Sequence, residues 1–144
     1  MTFRHLAITL LAATLFCACG SGSSATAEEK NEAVTELPSD GAVVYTKNAE
    51  IAPDKKLPVV IDFNATWCGP CQRFAPIFEE TAKAYKGKAI FMSVDVDKAP
   101  EAARQFEVSA IPQVSILMPD GTITSTVGYM EKAQLLEFLK PLKL

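Results

Sequence analysis

The chain has 144 residues and a mass of 15.5 kDa, enough for one domain with a real core and too little for two. Its 49% hydrophobic and 22% charged residues are those of an ordinary globular protein, which excludes a disordered, collagen-like or multi-span membrane chain. Fourteen Lys and Arg stand against 17 Asp and Glu, a net charge of −3, so the basic footprint of a nucleic-acid binder is missing.

The chain opens with Arg4 and His5 followed by an apolar run over residues 6–16, LAITLLAATLF. A spanning helix needs ~20 apolar residues, so this run has the length of a signal-peptide core instead. A buried helix of the domain is the other reading, but the Gly-Ser-rich residues 20–24 cannot continue a core. The expectation is therefore an exported protein whose residues 1–18 are a signal peptide. Phe16-Cys17-Ala18-Cys19 resembles a degenerate lipobox, which makes Cys19 a candidate for lipidation and the protein a candidate membrane-anchored lipoprotein. Ala25-Thr26-Ala27 is an alternative A-x-A cleavage site, and the two readings stay open. Residues 19–41, rich in small, polar and acidic side chains, are expected to form a flexible linker, leaving 42–144 as the domain.

Within the domain, residues 42–46 predict a first short strand. The continuous apolar run 57–65, LPVVIDFNA, predicts a central strand covered on both faces. After a turn at 66–70, Phe74, Ile77, Phe78, Thr81, Ala82 and Tyr85 recur at helical spacing up to Gly87, with Pro76 expected to kink that helix. A second buried strand follows at 89–96 and a short helix at 100–106, with Pro100 in its first turn. Strands at 113–118 and 122–127, joined by Pro119-Asp120-Gly121, predict a hairpin. An amphipathic helix at 131–142, with Leu135, Leu136, Phe138 and Leu139 inward, closes the chain. Parallel crossovers followed by an antiparallel hairpin imply an α/β fold: a central mixed β-sheet of four to five strands with helices on both faces. Phe63, Phe74, Phe78, Phe91, Phe106 and the methionines are expected in the core.

Four cysteines are too few for a disulfide scaffold of this length, so each needs its own explanation. Cys68 and Cys71 lie in Trp67-Cys68-Gly69-Pro70-Cys71, where a buried strand feeds a helix. At i and i+3 on a first helical turn both sulfurs share a face and can reach bonding distance. The free N–H groups and partial positive charge of a helix N-terminus favour a thiolate. Cys68 is therefore expected to be the exposed, low-pKa nucleophile and Cys71 the shielded resolving thiol. Zinc would need two more ligands, and the remaining cysteines (Cys17, Cys19) and the single histidine (His5) all sit at the signal segment, so no metal is expected. A structural disulfide closing so small a ring would constrain little of the unfolded chain.

The run Val60-Ile61-Asp62-Phe63-x-Ala65-x-Trp67-Cys68-Gly69-Pro70-Cys71, with Ala75-Pro76, closely resembles the thioredoxin family. The likeness continues through Val94-Asp95-Val96-Asp97, Ile111-Pro112, Asp120-Gly121 and Val127-Gly128, and covers about residues 42–144. It implies a thioredoxin-like fold in which Asp62 is the buried carboxylate beneath the dithiol, with a raised pKa, accepting the proton of Cys71. It implies that Pro112 is a cis-proline facing the cysteines, and that Ile111-Pro112 pairs with an extended substrate segment. Trp67, Gly69, Pro70 and Gly128 would complete that docking surface. The sequence departs from the family at Ser93, where a lysine near the aspartate is usual, and at Asn64, where an aromatic residue is common. Loss of the cation should leave the Asp62 pKa higher still, or make water the proton route.

The function this implies is an exported thiol-disulfide oxidoreductase in the periplasm or cell envelope. It would reduce cysteine-containing protein substrates, act as a monomer, use no cofactor beyond the Cys68–Cys71 couple and draw electrons from a membrane-embedded donor. The Gly-Pro dipeptide matches reducing thioredoxins at ~−270 mV rather than oxidants of the same fold at ~−120 mV. Relatives dedicated to cytochrome c maturation usually carry an insertion that residues 97–100 lack, and oxidases carry a helical domain for which there is no room. An isomerase, or a binding scaffold without turnover, remains the alternative. No nucleotide or flavin motif occurs.

Overall fold

The computed structural model describes residues 41–143. The expected signal segment at 1–18, Cys19 and all but the last residue of the 19–41 linker lie outside the described residues. Strand β1 (Val43–Tyr45) is followed by β2 (Val59–Asn64), α1 (Gly69–Ala84), β3 (Ile90–Asp95), α2 (Pro100–Gln105), β4 (Gln113–Leu117), β5 (Ile123–Val127) and α3 (Lys132–Leu139).

The long apolar run becomes the middle strand of a five-stranded sheet ordered β1-β3-β2-β4-β5. β3 is parallel to both β1 and β2, while β4 runs antiparallel to β2 and to β5. A middle strand has no face left for water, which is why five of the six residues of β2 are buried. Its period of two divides the core. Val59, Ile61 and Phe63 join Ile90, Met92 and Val94 of β3 against Ala102 and Phe106, beside α2. Val60 joins Phe91, Val114 and Ile116 against Phe74, Phe78 and Ala82 of α1 and Leu135 and Leu139 of α3. Asp62 belongs by parity to this second face and is the one carboxylate buried there among the described residues.

Local chemistry sets the element ends. Pro70 lies in the first turn of α1, where its missing N–H costs nothing, and the helix runs unbroken through Pro76. In the hairpin, Gly121 takes φ +86 and donates to the Met118 carbonyl at 2.9 Å, while Thr122 N–H donates to Asp120 Oδ1 at 2.9 Å. Glu131 and Gln134 cap α3 reciprocally. The last helix is shorter than the 131–142 expected: α3 stops at Leu139 and a 3₁₀ turn covers Lys140–Leu142. Pro141 cannot donate to the helical ladder and its ring crowds the preceding turn. Leu135 and Leu139 are buried, whereas Leu136 and Phe138 are only half-buried. The five core phenylalanines expected from the sequence are all buried.

Phe78 links the helix to the sheet, its ring 5.9 Å from Phe74 and 5.2 Å from Phe91. Replacing a buried Phe with Ala removes both transfer energy and packing, so Phe78→Ala is expected to lower the unfolding free energy of the full chain by ~3–5 kcal/mol in urea titration. A loss below ~1 kcal/mol would mean that α1 is not packed on the sheet in this way.

Candidate active site

β2 ends at Asn64, and four residues later the chain enters α1 with Cys68 as its N-cap. Ala65 accepts a hydrogen bond from Cys68 N–H at 3.1 Å, and Gln72 Nε2 donates to the Thr66 carbonyl at 2.8 Å, so the turn is held from both sides. Cys68 and Cys71 form a disulfide with an S–S length of 2.01 Å and a Cα–Cα distance of 5.3 Å. Cys71 N–H donates to Cys68 Sγ at 3.2 Å. An N-cap side chain normally receives such a donor through oxygen, and here the sulfur of the N-terminal cysteine occupies that place.

The exposure expected of Cys68 is not found. It is 5% exposed against 2% for Cys71. Its sulfur is turned toward its bonded partner and both cysteines pack with Ala65, with the half-buried Val96 and Ile111 closing over them. The rim, not the sulfur, is what solvent meets: Gly69 and Pro70 are exposed, and Trp67 is 70% exposed. That figure removes Trp67 from the core. Its indole Nε1 donates to Asp97 Oδ2 at 2.8 Å, which fixes the ring beside the disulfide.

On the other flank the Ile111–Pro112 peptide bond is cis and Pro112 is buried. Gly128 N–H donates to the Pro112 carbonyl at 2.8 Å, tying the end of β5 to this loop. Gly128 has φ +108, a region that side chains disfavour, and nothing lies within 4 Å of where its Cβ would stand. Gly128 thus leaves open space next to the loop whose Ile111 packs against the disulfide.

Asp62 lies beneath the same helix. Ala75, one turn after Cys71, lines a cavity of about 300 Å³ with Asp62, Pro76, Phe78, Glu79 and Ser93. Asp62 is 2% exposed; its Oδ2 accepts from Asn64 Nδ2 at 3.2 Å and its Oδ1 is without a partner. Burial pushes its carboxyl up from 3.8 to about 7, against a downward pull from the Asn64 amide. Asn64 Nδ2 also reaches Ser93 Oγ at 2.9 Å, so the two departures from the family pattern meet each other at Asp62. A larger and more apolar cavity, about 450 Å³ and lined by Leu57, Ala82, Ile90 and Phe91 among others, contains none of these residues.

The structure thus packs Ile111 against Cys68 and Cys71, leaves Trp67, Gly69 and Pro70 exposed around them, ties Gly128 to Pro112, and puts Asp62 under the helix that carries the cysteines. Asp97 and Gln72 were not singled out from the sequence. Asp97 sits inside the Val94–Asp97 run that carried the family likeness, whereas nothing in sequence marks Gln72 as the residue bracing the turn.

The Thioredoxin family profile matches residues 43–141. Thioredoxins of Staphylococcus aureus and Staphylococcus haemolyticus are 41% and 42% identical over 80 residues, which span 56% of this chain and 77% of theirs. Among solved structures, Fasciola hepatica thioredoxin superposes with a TM-score of 0.56 at 33% identity, covering 60% of this chain and 82% of that one. Chloroplastic thioredoxin z gives 0.55 at 27% identity, covering 62% and 80%.

The raised Asp62 carboxyl has a signed consequence for stability. Between pH 3.8 and about 7 the folded protein keeps a proton that the unfolded chain has released, so stability falls as pH rises through that window. Asp62→Asn is expected to be more stable than the wild type above pH 7 by up to about 4 kcal/mol, a gain that vanishes toward pH 4, read by urea titration at both pH values. Equal stability at pH 8 would show that the carboxyl titrates normally.

Proposed function

The chain belongs to the thioredoxin family, and on that premise we propose that it is an exported reductase of disulfides in cell-envelope proteins, working through the Cys68–Cys71 couple. Thiol-disulfide oxidoreduction at a C-x-x-C site on cysteine-containing proteins is what it shares with the family. The observation that carries the reading is the Cys71 N–H on Cys68 Sγ at the first turn of α1. A backbone donor and the helix dipole are in place for the negative charge that a reduced Cys68 carries.

Starting from the dithiol, the Cys68 thiolate attacks one sulfur of a substrate disulfide, and the other substrate sulfur leaves with the bonding pair. The Cys71 thiol then gives its proton to the Asp62 carboxylate and its sulfur attacks Cys68 Sγ. The second substrate sulfur leaves as thiolate, both substrate thiolates take up protons, and the Cys68–Cys71 disulfide is formed. Two electrons pass from the dithiol to the substrate, and no cofactor enters. An extended substrate segment lies against Ile111-Pro112 and Gly128, with Trp67, Gly69 and Pro70 forming the opposite rim.

Support for export comes from the apolar run at 6–16 and the Gly-Ser-rich residues that follow it. In this reading residues 1–18 are a signal peptide, Cys19 carries a lipid anchor, 19–41 is the tether and 42–144 is the working domain, a monomer. A reductase outside the cytoplasm needs electrons from across the membrane, so a membrane-embedded donor resets the disulfide to the dithiol.

In a dithiothreitol-driven insulin reduction assay, Cys68→Ser is expected to fall to the uncatalysed rate. Cys71→Ser is expected to accumulate mixed disulfides through Cys68, whose mass spectra identify the substrates. Undiminished reduction by Cys68→Ser, or none by the wild type, would contradict the reading and favour a binding scaffold.

A further inference from the structure

Asp62 Oδ1 is the one buried side-chain polar atom without a hydrogen-bond partner among the described residues, and what holds the carboxyl is a single neighbour. Asn64 stands two residues on, so the pleat aims both side chains at the same face of β2. One nitrogen, Asn64 Nδ2, lies 3.2 Å from Asp62 Oδ2, 3.1 Å from the Asp62 carbonyl and 2.9 Å from Ser93 Oγ. A main-chain carbonyl only accepts, so the amide must present its NH2 to this group and not its oxygen. Ser93 pairs with Asp62 across the β2–β3 ladder, which fixes the hydroxyl that steadies the amide.

We propose that Asn64 is the positioning residue of this site: anchored by Ser93, its amide orients the Asp62 carboxyl and favours its ionised form, and so controls when Asp62 can accept the proton of Cys71. The inference rests on the thiol-disulfide reading of the site. The bond from an amide to a carboxyl oxygen is charge-assisted only when that carboxyl is ionised, so it strengthens in the form that can act as a base. Without it, desolvation acts on Asp62 unopposed, since burial and this amide are the influences that move the carboxyl, in opposite directions. The geometry also leaves Oδ1 free for the incoming proton.

The other groups around Asp62 do not take over this task. From α1 the cavity presents Glu79, whose Oε2 already accepts from Ala42 N–H at 3.1 Å. From β3 it presents Ser93; Asp95, the register partner of Asn64, is paired with Lys98 at 3.3 Å. From β4 the residue opposite Asp62 is the apolar Val114.

The test follows the carboxyl of Asp62 by carbon-13 NMR through a pH titration of the oxidised full chain, with the Asp62 signal assigned by its loss in Asp62→Asn. Asn64→Leu keeps the bulk and removes the amide; Asn64→Ala removes both and serves if the leucine variant does not fold. In either variant the midpoint is expected to rise by about one pH unit, the size set by losing one hydrogen bond to a charged group. The pH at which insulin reduction is half-maximal should rise with it. A role confined to structure would lower the melting temperature and leave the midpoint where it was. An unmoved midpoint in a folded variant, with the wild type active, overturns the inference alone. A wild type that reduces no disulfide contradicts the reductase reading, whichever way the midpoint moves.

Discussion

The site depends on one constraint: the central strand β2 is buried on both faces and delivers its end directly to the first turn of α1. Because β2 is hydrogen-bonded to β3 on one side and β4 on the other, its register is fixed over the whole of Val59–Phe63. A slip of one residue would carry Asp62 to the α2 face and Phe63 to the face beneath α1. It would also shift Cys68 away from the N-cap, where its sulfur receives the Cys71 N–H. Position of the thiols and position of the carboxylate are thus consequences of the same strand pairing.

That arrangement opposes stability to function. A carboxyl buried with one oxygen unpartnered is a cost that a protein indifferent to chemistry would shed by replacement with an apolar residue. The packing around it offsets that cost: Phe74, Phe78, Phe91, Val114 and Leu135 surround the same face of the sheet. The cavity over Asp62 keeps the carboxyl within reach of proton exchange, which a close-packed core would forbid. Likewise Trp67, Gly69 and Pro70 stand exposed around a disulfide that is itself nearly buried.

Much of this was legible in the sequence, because the signals were local. The element order follows from periodicity and from Gly and Pro punctuation, and the dithiol from two cysteines three residues apart at a strand-to-helix turn. Asp62 was marked by the family likeness of the run that carries it. What could not be read depended on contacts between distant segments or on side-chain direction. The Trp67–Asp97 hydrogen bond joins residues thirty apart, and the Asn64–Ser93 contact spans twenty-nine. Asn64 and Ser93 each looked like a departure from a family pattern; the β2–β3 register pairs Ser93 with Asp62, and only the folded strands bring the Asn64 amide onto the Ser93 hydroxyl. Cys68 was expected at the surface as the thiol at the N-terminal end of the helix, but its disulfide and the cover of Ile111 and Val96 turn it inward. The early end of α3 traces to Pro141, whose effect on the preceding turn sequence periodicity had overridden.

The claim that ties these parts together is that Cys68 and Cys71 form a reducing couple. Equilibrating the full chain against a dithiothreitol or glutathione series and counting free thiols measures it directly. The account predicts a single reversible two-electron transition with a midpoint near ~−270 mV. A midpoint above ~−180 mV, or no reversible transition, would contradict it, the first indicating an isomerase or oxidant and the second a scaffold without turnover.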